Sequence, residues 1–465
     1  METDNFIVRL PQIDAEIYGD RVLELLNEAD EVLSRKYGYE VTKPTLIEFY
    51  PNQQDFAIRT FNSLGGEGFL GVCFGPVITM NSPGSVSAGK NNWEATLWHE
   101  YAHTITLGAT RNKMPRWISE GLSVYEELQK NPAWGQRMTP SYRKMILEGE
   151  ALTPISQMSD AFFKAESGEE IMFAYYQSML VVEFIIENYG MEAMRAILND
   201  LGEGVLINDT IARHTTSMPR LEKDFRKSAV ELAESYGPEI DWTQPEKSEV
   251  DPANHFAVAA FLEQNPKNFW AVQRNLRHLM DLEKWTEVIA AADSFTALLP
   301  EFTGADNGYL AKAIAYRELE EPEKEKESLK QLASLSAEAL SAYHRLVEIS
   351  FDAGDWETVL SNAERSMAIH PMVERVHYRQ AFAHAALKER DHAVEAFEKS
   401  LRLNPTNPSE VNFRLAGLLK SEDQERAKRH LLDALADSPR YLEAHALLIG
   451  FDDPEEKQVE AISEE

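Results

Sequence analysis

Apolar positions in the first ninety residues alternate between strand-like and helix-like spacing. Runs rich in β-branched and aromatic residues predict strands at 6–10, 45–50 and 68–81. The last run is interrupted at Gly75 and Pro76, so it predicts one strand or two. Residues 14–37 carry apolar side chains at helical spacing, and residues 53–61 suit a short helix. The pattern therefore predicts a small mixed β-sheet with helices packed on it.

From Trp93 to about Tyr236 the pattern becomes helical. Plausible helix ends stand at Gly108, Asn131, Gly168 and Gly190. The next stretch, "YGPEIDWTQPEKSEVDP", is rich in proline and charge and lacks apolar periodicity. We therefore predict a first domain over 1–235 and a linker over 236–250. The fold class expected for the first domain is α+β, with the helical part carrying the chemistry.

Beyond the linker, prolines recur with a nearly constant period. They stand at 266, 300, 371, 405 and 439. Three of the four gaps are 34 residues, and the fourth, 71 residues, is two such periods plus three. The period resembles that of tetratricopeptide repeats, helix pairs whose second helix ends in proline. The alternative is a generic helical array with accidental prolines.

The unit that best resembles a tetratricopeptide second helix is "DHAVEAFEKSLRLNP", residues 391–405. It has Ala393, Ala396, Phe397 and Pro405 in the expected places. Each helix pair buries its apolar stripe against its neighbours, so stacked pairs should form an all-α solenoid. We expect the repeats over 251–450, with a protein partner bound through them, and an acidic tail over 451–465.

Charge and composition narrow the possible functions. The chain has 465 residues and a net charge of −31, which excludes a surface dominated by basic residues and argues against nucleic acid and anionic membranes as partners. Cys73 is the single cysteine, so neither an intrachain disulfide nor a thiolate zinc site is expected. No apolar run has transmembrane length, so membrane insertion is not expected.

The start of the chain bears on location. "METDNFIVRL" carries acidic residues and no apolar segment typical of a signal peptide. The default expectation is a cytoplasmic protein. A periplasmic or secreted location is the alternative if the chain is a fragment that lacks its leader.

The chemistry begins at residues 98–103, "WHEYAH", which contain the pattern H-E-x-x-H. On a helix, His99 and His103 lie one turn apart on the same face, so two imidazole nitrogens can reach one metal ion. Glu100 is shifted around the helix, where it suits a general base better than a ligand. The alternative is two ordinary histidines beside a solvated glutamate, because so short a pattern also arises by chance.

A third ligand would separate these interpretations. Residues 115–127, "PRWISEGLSVYEE", predict a helix opened by Pro115, with Glu120 among apolar neighbours. A carboxylate there is costly unless it is paired, and a zinc ion would pair it. The alternative is a surface acid in a chain full of acids. For the ligands' own hydrogen-bond partners, Glu126 and Glu127 are both candidates, and the sequence does not choose between them.

Together with "AYYQSMLVVEFIIENYG" (174–190), these motifs resemble the gluzincin metallopeptidases. More narrowly, they resemble the bacterial peptidase MA-like domains that occur joined to tetratricopeptide repeats. The resemblance covers roughly residues 1–235 and implies a zincin-like helical domain with Zn²⁺ bound by His99, His103 and Glu120. It further implies that Glu100 is the general base.

The resemblance also implies a tyrosine that steadies the oxyanion. By register this is Tyr175, with Tyr176 as the runner-up, and the alternative for either is an aromatic ring packed in the helical core. The related aminopeptidases carry G-x-M-E-N ahead of the zinc helix, and "GVCFGPVITMNSPGS" has no such glutamate. That departure favours an endopeptidase over an aminopeptidase. The strand at 77–81 is expected at the cleft edge, where it could pair with an extended peptide.

The sequence therefore predicts a zinc-dependent metallopeptidase acting on a peptide or protein substrate, with repeats that recruit substrate or partner. The alternative is a repeat scaffold joined to a catalytically silent peptidase-like domain. A zinc hydrolase that acts on something other than peptides is a third possibility. A silent relative would be expected to lose Glu100 before the residues that support the fold.

Overall fold

The computed structural model describes residues 1–65, 68–84, 91–148 and 152–451. The chain divides into two compact units. The first consists of Met1–Pro11 and Gly19–Ala342. The second consists of Gln12–Tyr18 and the residues from Tyr343 onward. The tail expected over 451–465 lies outside the described residues, apart from Phe451.

The division does not coincide with the predicted linker. Residues 236–250 lie inside the first unit. Independent folding of 1–235 and 251–450 stays a prediction that limited proteolysis can test.

Four strands form one mixed sheet in the first unit. They are β1 (Phe6–Arg9), β2 (Thr45–Tyr50), β3 (Gly71–Cys73) and β4 (Val77–Asn81), in the spatial order β1-β2-β4-β3. β1, β2 and β4 are parallel, whereas β3 is antiparallel to β4. The chain reverses between β3 and β4 at Gly75, whose φ of 78° suits glycine. The predicted break at this point is thus a turn between two strands.

Strand β4 lies inside the sheet, which corrects the expectation that residues 77–81 form the cleft edge. Met80 has Phe49 of β2 as its partner on one side and Gly71 of β3 on the other. The backbone groups of β4 are therefore used within the sheet. The short strand β3 occupies the edge instead.

The sheet packs on helices through alternate residues. Phe6, Val8 and Ile47 are almost fully buried, as the period-two pattern predicts. Helix α1 (Gln12–Tyr37) contributes an apolar stripe whose members Val22, Leu25, Leu26 and Ala29 are buried. Val32 on the same helix is exposed, so it lies off the stripe.

Further helices complete the part of the first unit that precedes residue 236. They are α2 (Gln53–Phe61), α3 (Trp93–Ala109), α4 (Arg116–Lys130), α5 (Pro140–Leu147), α6 (Ala161–Lys164), α7 (Gly168–Gly202), α8 (Ile207–His214) and α9 (Met218–Ser235), with a 3₁₀ helix at Ile155–Asp160. Helix α7 is broken at Gly190, where φ is 82°. A Cβ atom on Gly121 would lie 2.5 Å from the carbonyl oxygen of Ser178, so glycine allows α4 to approach α7 closely.

The remaining described helices form repeats. They are α10 (His255–Gln264), α11 (Phe269–Asp281), α12 (Trp285–Leu298), α13 (Gly308–Glu318), α14 (Pro322–Leu335), α15 (Leu340–Ala353), α16 (Trp356–Met367), α17 (Glu374–Ala386), α18 (Arg390–Arg402), α19 (Pro408–Leu419), α20 (Gln424–Asp437) and α21 (Leu442–Gly450). Each proline of the 34-residue series follows the end of α10, α12, α16, α18 or α20. The expected fold class, α+β followed by all-α helical repeats, is confirmed.

Buried small and aromatic residues hold the repeats together. In the second unit, Ala396 and Phe397 of α18 share a buried cluster with Ala381 of α17 and with Val411 and Leu415 of α19. This is the nearest-neighbour packing expected of helical repeats. Among the described residues, no helix combines the length and apolar character needed to cross a bilayer.

Candidate metal centre

Helix α3 places the two histidines of "WHEYAH" side by side. The Asn92 side chain caps the helix by accepting a hydrogen bond from the backbone N–H of Ala95 at 3.0 Å. The Nε2 atoms of His99 and His103 lie 3.1 Å apart. Both rings are largely buried, so their orientation is fixed by packing.

Helix α4 brings Glu120 to the same point. Its Oε2 atom lies 3.3 Å from Nε2 of His99 and 3.2 Å from Nε2 of His103. Ligand atoms about 2.0–2.1 Å from a tetrahedral zinc ion would be separated by about 3.3 Å. The three donor atoms therefore match the spacing of a zinc site, and their types are those that zinc prefers.

The outward nitrogens of both imidazoles are also occupied. Nδ1 of His99 lies 2.5 Å from Oε1 of Glu127, and Nδ1 of His103 lies 2.9 Å from Oγ of Ser119. A carboxylate accepts from the Nδ1–H group, so the neutral imidazole held in this way presents Nε2 to a metal. Both partners lie on α4, so this one helix supplies a donor atom and orients the two histidines.

The structure shows which of the two neighbouring glutamates is the hydrogen-bond partner of a metal-ligand candidate. Glu127 bonds His99, whereas Glu126 faces α1, where it accepts hydrogen bonds from Lys36 at 2.8 Å and from the hydroxyl of Tyr37 at 2.6 Å. Helical phase could have predicted this choice. Glu120 and Glu127 are seven residues apart and share a face, and Glu126 is turned by about 100°. Ser119 carried no comparable sequence signal.

Glu100 lies beside the cluster without joining it. Its side chain is almost fully buried and packs against Gly71 of β3, where an added Cβ would lie 2.8 Å from Cγ of Glu100. Burial raises the pKa of the Glu100 carboxyl, and the nearby imidazoles of His103 and His99 oppose that shift. The pKa of Glu120 moves the other way, because the two imidazoles outweigh the effect of burial.

The two tyrosines of the third motif occupy different environments. The Tyr175 hydroxyl accepts a hydrogen bond of 3.1 Å from Arg116, whose Nε also donates to Oε1 of Glu120 at 3.3 Å. Burial raises the pKa of Tyr175 to about 12, so its hydroxyl stays protonated at neutral pH. Tyr176 instead stacks on Tyr142 in the core, with ring centroids 4.8 Å apart.

A cavity of about 720 Å³ opens beside these residues within the first unit. His99, Glu100 and Tyr175 line it, and Gly71 brings the end of β3 to its margin. His103 and Glu120 lie next to His99 and complete the candidate metal cluster. The structure therefore brings all five predicted site residues into one region, next to a space large enough for part of a peptide.

Two family models match the chain. The model of the Peptidase MA superfamily matches residues 31–230, which include all five candidate site residues. The model of the bacterial transcriptional activator domain matches residues 312–404, within the helical repeats. Among curated proteins, no significant match was found.

Solved structures of helical repeat proteins resemble part of this chain, with TM-scores below 0.5. YrrB, titled a TPR protein with an unusual peptide-binding site, is 14% identical over 42% of this chain and 98% of its own, with a TM-score of 0.34. MamA from Desulfovibrio magneticus RS-1 is 15% identical over 36% of this chain and 95% of its own, with a TM-score of 0.28. A thermophilic TPR protein from Thermus thermophilus, TTC0263, is 21% identical over 42% and 87%, with a TM-score of 0.18. The helix pairing of this chain itself defines its repeats.

Together, the superfamily match and the helical repeats support a peptidase MA plus tetratricopeptide-like architecture. Repeats of stacked helix pairs suggest a surface for binding protein.

Proposed function

We propose that this protein is a zinc-dependent metallopeptidase that hydrolyses peptide bonds. One observation carries the proposal: Nε2 of His99, Nε2 of His103 and Oε2 of Glu120 converge within 3.1–3.3 Å of one another beside a cavity. This donor set has one carboxylate and two imidazoles, which is typical of catalytic zinc in peptidases.

The residues around the centre suit hydrolysis. A zinc ion held there would supply a Lewis acid for a carbonyl group and would lower the pKa of a water molecule. Glu100 stands at the cavity wall, where its carboxylate can take a proton from water and later give it to the leaving amine. Burial raises the pKa of Glu100 above its usual value, which is the direction that suits a general base.

Tyr175 supplies a hydrogen-bond donor. Its hydroxyl proton remains available, because Arg116 has no acceptor atom and donates to the tyrosine oxygen. Within the cavity, the hydroxyl can therefore donate to the oxygen of a substrate carbonyl as negative charge develops on it.

The substrate we propose is an extended peptide cleaved internally. Strand β3 lies at the sheet edge, and a Cβ atom added at its Gly71 would lie 2.8 Å from Cγ of Glu100, so the strand runs close to this carboxylate. A peptide added to this edge would run past the base with its backbone hydrogen-bonded. The sequence ahead of the zinc helix has no glutamate of the kind that captures a substrate amino terminus, so we propose an endopeptidase.

The decisive experiment combines metal analysis with a Glu100→Gln comparison on a peptide-library digest. Wild-type protein should carry about one zinc per chain at this centre and cleave peptides. Glu100→Gln should keep the zinc and lose turnover by about 10²–10⁴-fold. His103→Ala should lose the zinc, and unchanged zinc in that variant would refute the site.

The same experiment distinguishes the alternative, a repeat scaffold with a silent peptidase-like domain. That alternative predicts zinc in the wild type, no cleavage of any library peptide and no difference between wild type and Glu100→Gln. The complete base and ligand set favours the enzyme.

A further inference from the structure

The cavity at the candidate metal centre has a second wall that comes from the repeats. Residues 301–304, which follow α12, line it, as do residues 335–338, at the end of α14 and just beyond it. Both segments belong to the first compact unit together with the metal ligands. The part of the chain matched by the peptidase superfamily, 31–230, therefore supplies only part of the lining of this space.

Specific contacts hold this second wall in place. Arg137 donates a hydrogen bond of 2.7 Å from Nη1 to the carbonyl oxygen of Leu335. Asn92, the residue that caps the zinc helix, donates from Nδ2 to the carbonyl oxygen of Ala337 at 3.3 Å. The wall is thus attached directly to the residue that caps α3.

A shared apolar core supports the same arrangement. Tyr236 and Ile240 are buried in one cluster with residues of α11, α12 and α13, and Met138 packs against it from the peptidase side. The ring centroids of Trp242 and Phe269 lie 5.0 Å apart, and those of Phe269 and Phe302 lie 5.6 Å apart. Phe302 lines the cavity, so this core fixes its wall as a packed surface.

The wall is acidic as well as apolar. Glu301, Glu338 and Glu127 line the cavity. Among the residues that the structure describes, neither Glu301 nor Glu338 forms an ion pair. Partial removal from solvent and the charge of Glu127 raise the pKa of Glu338, so these two carboxylates influence each other. Of the described residues, Arg137 is the one arginine or lysine in the lining, and its guanidinium already donates to the carbonyl oxygens of Leu335 and Pro132.

We propose that these repeat loops form the specificity wall of the substrate cleft and favour peptides with a lysine or arginine side chain near the scissile bond. The proposal rests on the proposed peptidase function. A long cationic side chain suits both features of the wall, because its methylene stem can pack on Phe302 and Leu335 while its charged end meets Glu301 and Glu338.

Matched peptides test this proposal. Pairs that differ only in lysine or glutamine at one position, scanned around the cleavage site, would be digested by the full-length, zinc-loaded protein. At one or more of the scanned positions, wild type should show a higher kcat/KM for the lysine peptide than for its glutamine partner. The ratio should fall as salt concentration rises, because partly exposed charges are screened.

The variant to compare is the double substitution Glu301→Gln and Glu338→Gln, with Glu263→Gln as control. Glu263 is an acid of α10 that does not line the cavity. The double variant should lower the lysine-to-glutamine ratio of kcat/KM by about two- to tenfold, the effect of two solvent-accessible charge pairs. The control should keep the wild-type ratio, and thermal unfolding should show that all three proteins fold.

Each failure has a separate meaning. Equal cleavage of lysine and glutamine peptides by wild type would overturn the specificity wall and leave the peptidase intact. An unchanged ratio in the double variant would show that the preference arises elsewhere and would also overturn it. Zinc-loaded wild type that cleaves no peptide would overturn the proposed function, and this inference with it.

Discussion

Oε1 of Glu127 lies 2.5 Å from Nδ1 of His99, on the side of the ring opposite the other metal-ligand candidates. The contact fixes the tautomer of His99 and increases the basicity of its Nε2 atom. It also explains why an acid lies partly buried at this place on α4.

Replacing Glu127 with glutamine should therefore weaken zinc binding. The amide of the new side chain could still hydrogen-bond His99 but would lack the charge, and loss of such a partner typically costs about 10- to 100-fold in metal affinity. Competition with a chelator of known affinity would measure the change.

Glu126→Gln is the matched control, since Glu126 is the neighbouring acid on the helix and is itself buried. Its partners are Lys36 and Tyr37, so the substitution should alter stability and leave zinc affinity as in wild type. Equal zinc affinities for the two variants would show that the Glu127 contact does not tune the metal site.

A second prediction concerns Gly71. An alanine there would place Cβ 2.8 Å from both Cγ and Oε1 of Glu100, closer than real Cβ contacts come. The base must shift, so Gly71→Ala should lower kcat markedly while zinc is retained. Because a Cβ on Gly68 would meet nothing within 4 Å, Gly68→Ala should behave like wild type. A fully active Gly71→Ala enzyme would mean that the position of Glu100 is not critical.

Tyr175 and Tyr176 provide a third prediction. Tyr175→Phe removes a hydroxyl at the cavity and should lower kcat by about 10²–10³-fold with zinc retained, as loss of one oxyanion donor does. Tyr176→Phe removes a hydroxyl that faces Met138, so kcat should stay near wild type. Single-turnover measurements on both variants would show which hydroxyl acts. A larger loss for Tyr176→Phe would reverse the assignment.

The placement of the two histidines was predictable, because helical spacing alone puts His99 and His103 on one face. The role of Glu120 could not be predicted from its own position alone. An acid among apolar neighbours indicates a metal ligand only when a metal-binding motif lies nearby. Ser119 gave no signal, because a serine within a helix is usually unremarkable. The choice between Tyr175 and Tyr176 depends on how α7 is rotated in its packing, which the local pattern does not reveal.

The order of the strands and the residues that line the cavity could not be predicted from the spacing of apolar residues. Alternating residues predict that 77–81 forms a strand, but the neighbours of a strand depend on how the chain returns, and here β3 takes the edge. The predicted linker is rich in proline and charge, yet Ile240 and Trp242 within it pack with the buried cluster beside the cavity. Long-range apolar packing of this kind leaves no periodic signal in a short segment.

The last prediction concerns His377 of α17, which is 1% exposed. Burial lowers its pKa from the usual 6.5 to about 4, with a smaller contribution from Lys399, while the carbonyl of Pro371 and the charge of Glu395 oppose the shift. Its Nε2–H group donates to that carbonyl at 2.6 Å. The folded protein therefore holds this histidine neutral in a pH range where the unfolded chain protonates it.

The sign of the effect follows from proton binding. Between pH 6.5 and about 4 the unfolded state binds more protons at this residue, so its contribution to stability is complete above pH 6.5 and is lost as pH falls toward 4. By pH 5 the loss should be about 2 kcal/mol. Urea unfolding at pH 7 and pH 5 would measure it against His377→Gln, which retains an N–H donor and does not titrate. The wild type should lose more free energy of unfolding than the variant over this interval. An equal loss in the two proteins would mean that other groups account for the acid sensitivity and that His377 can be protonated within the fold.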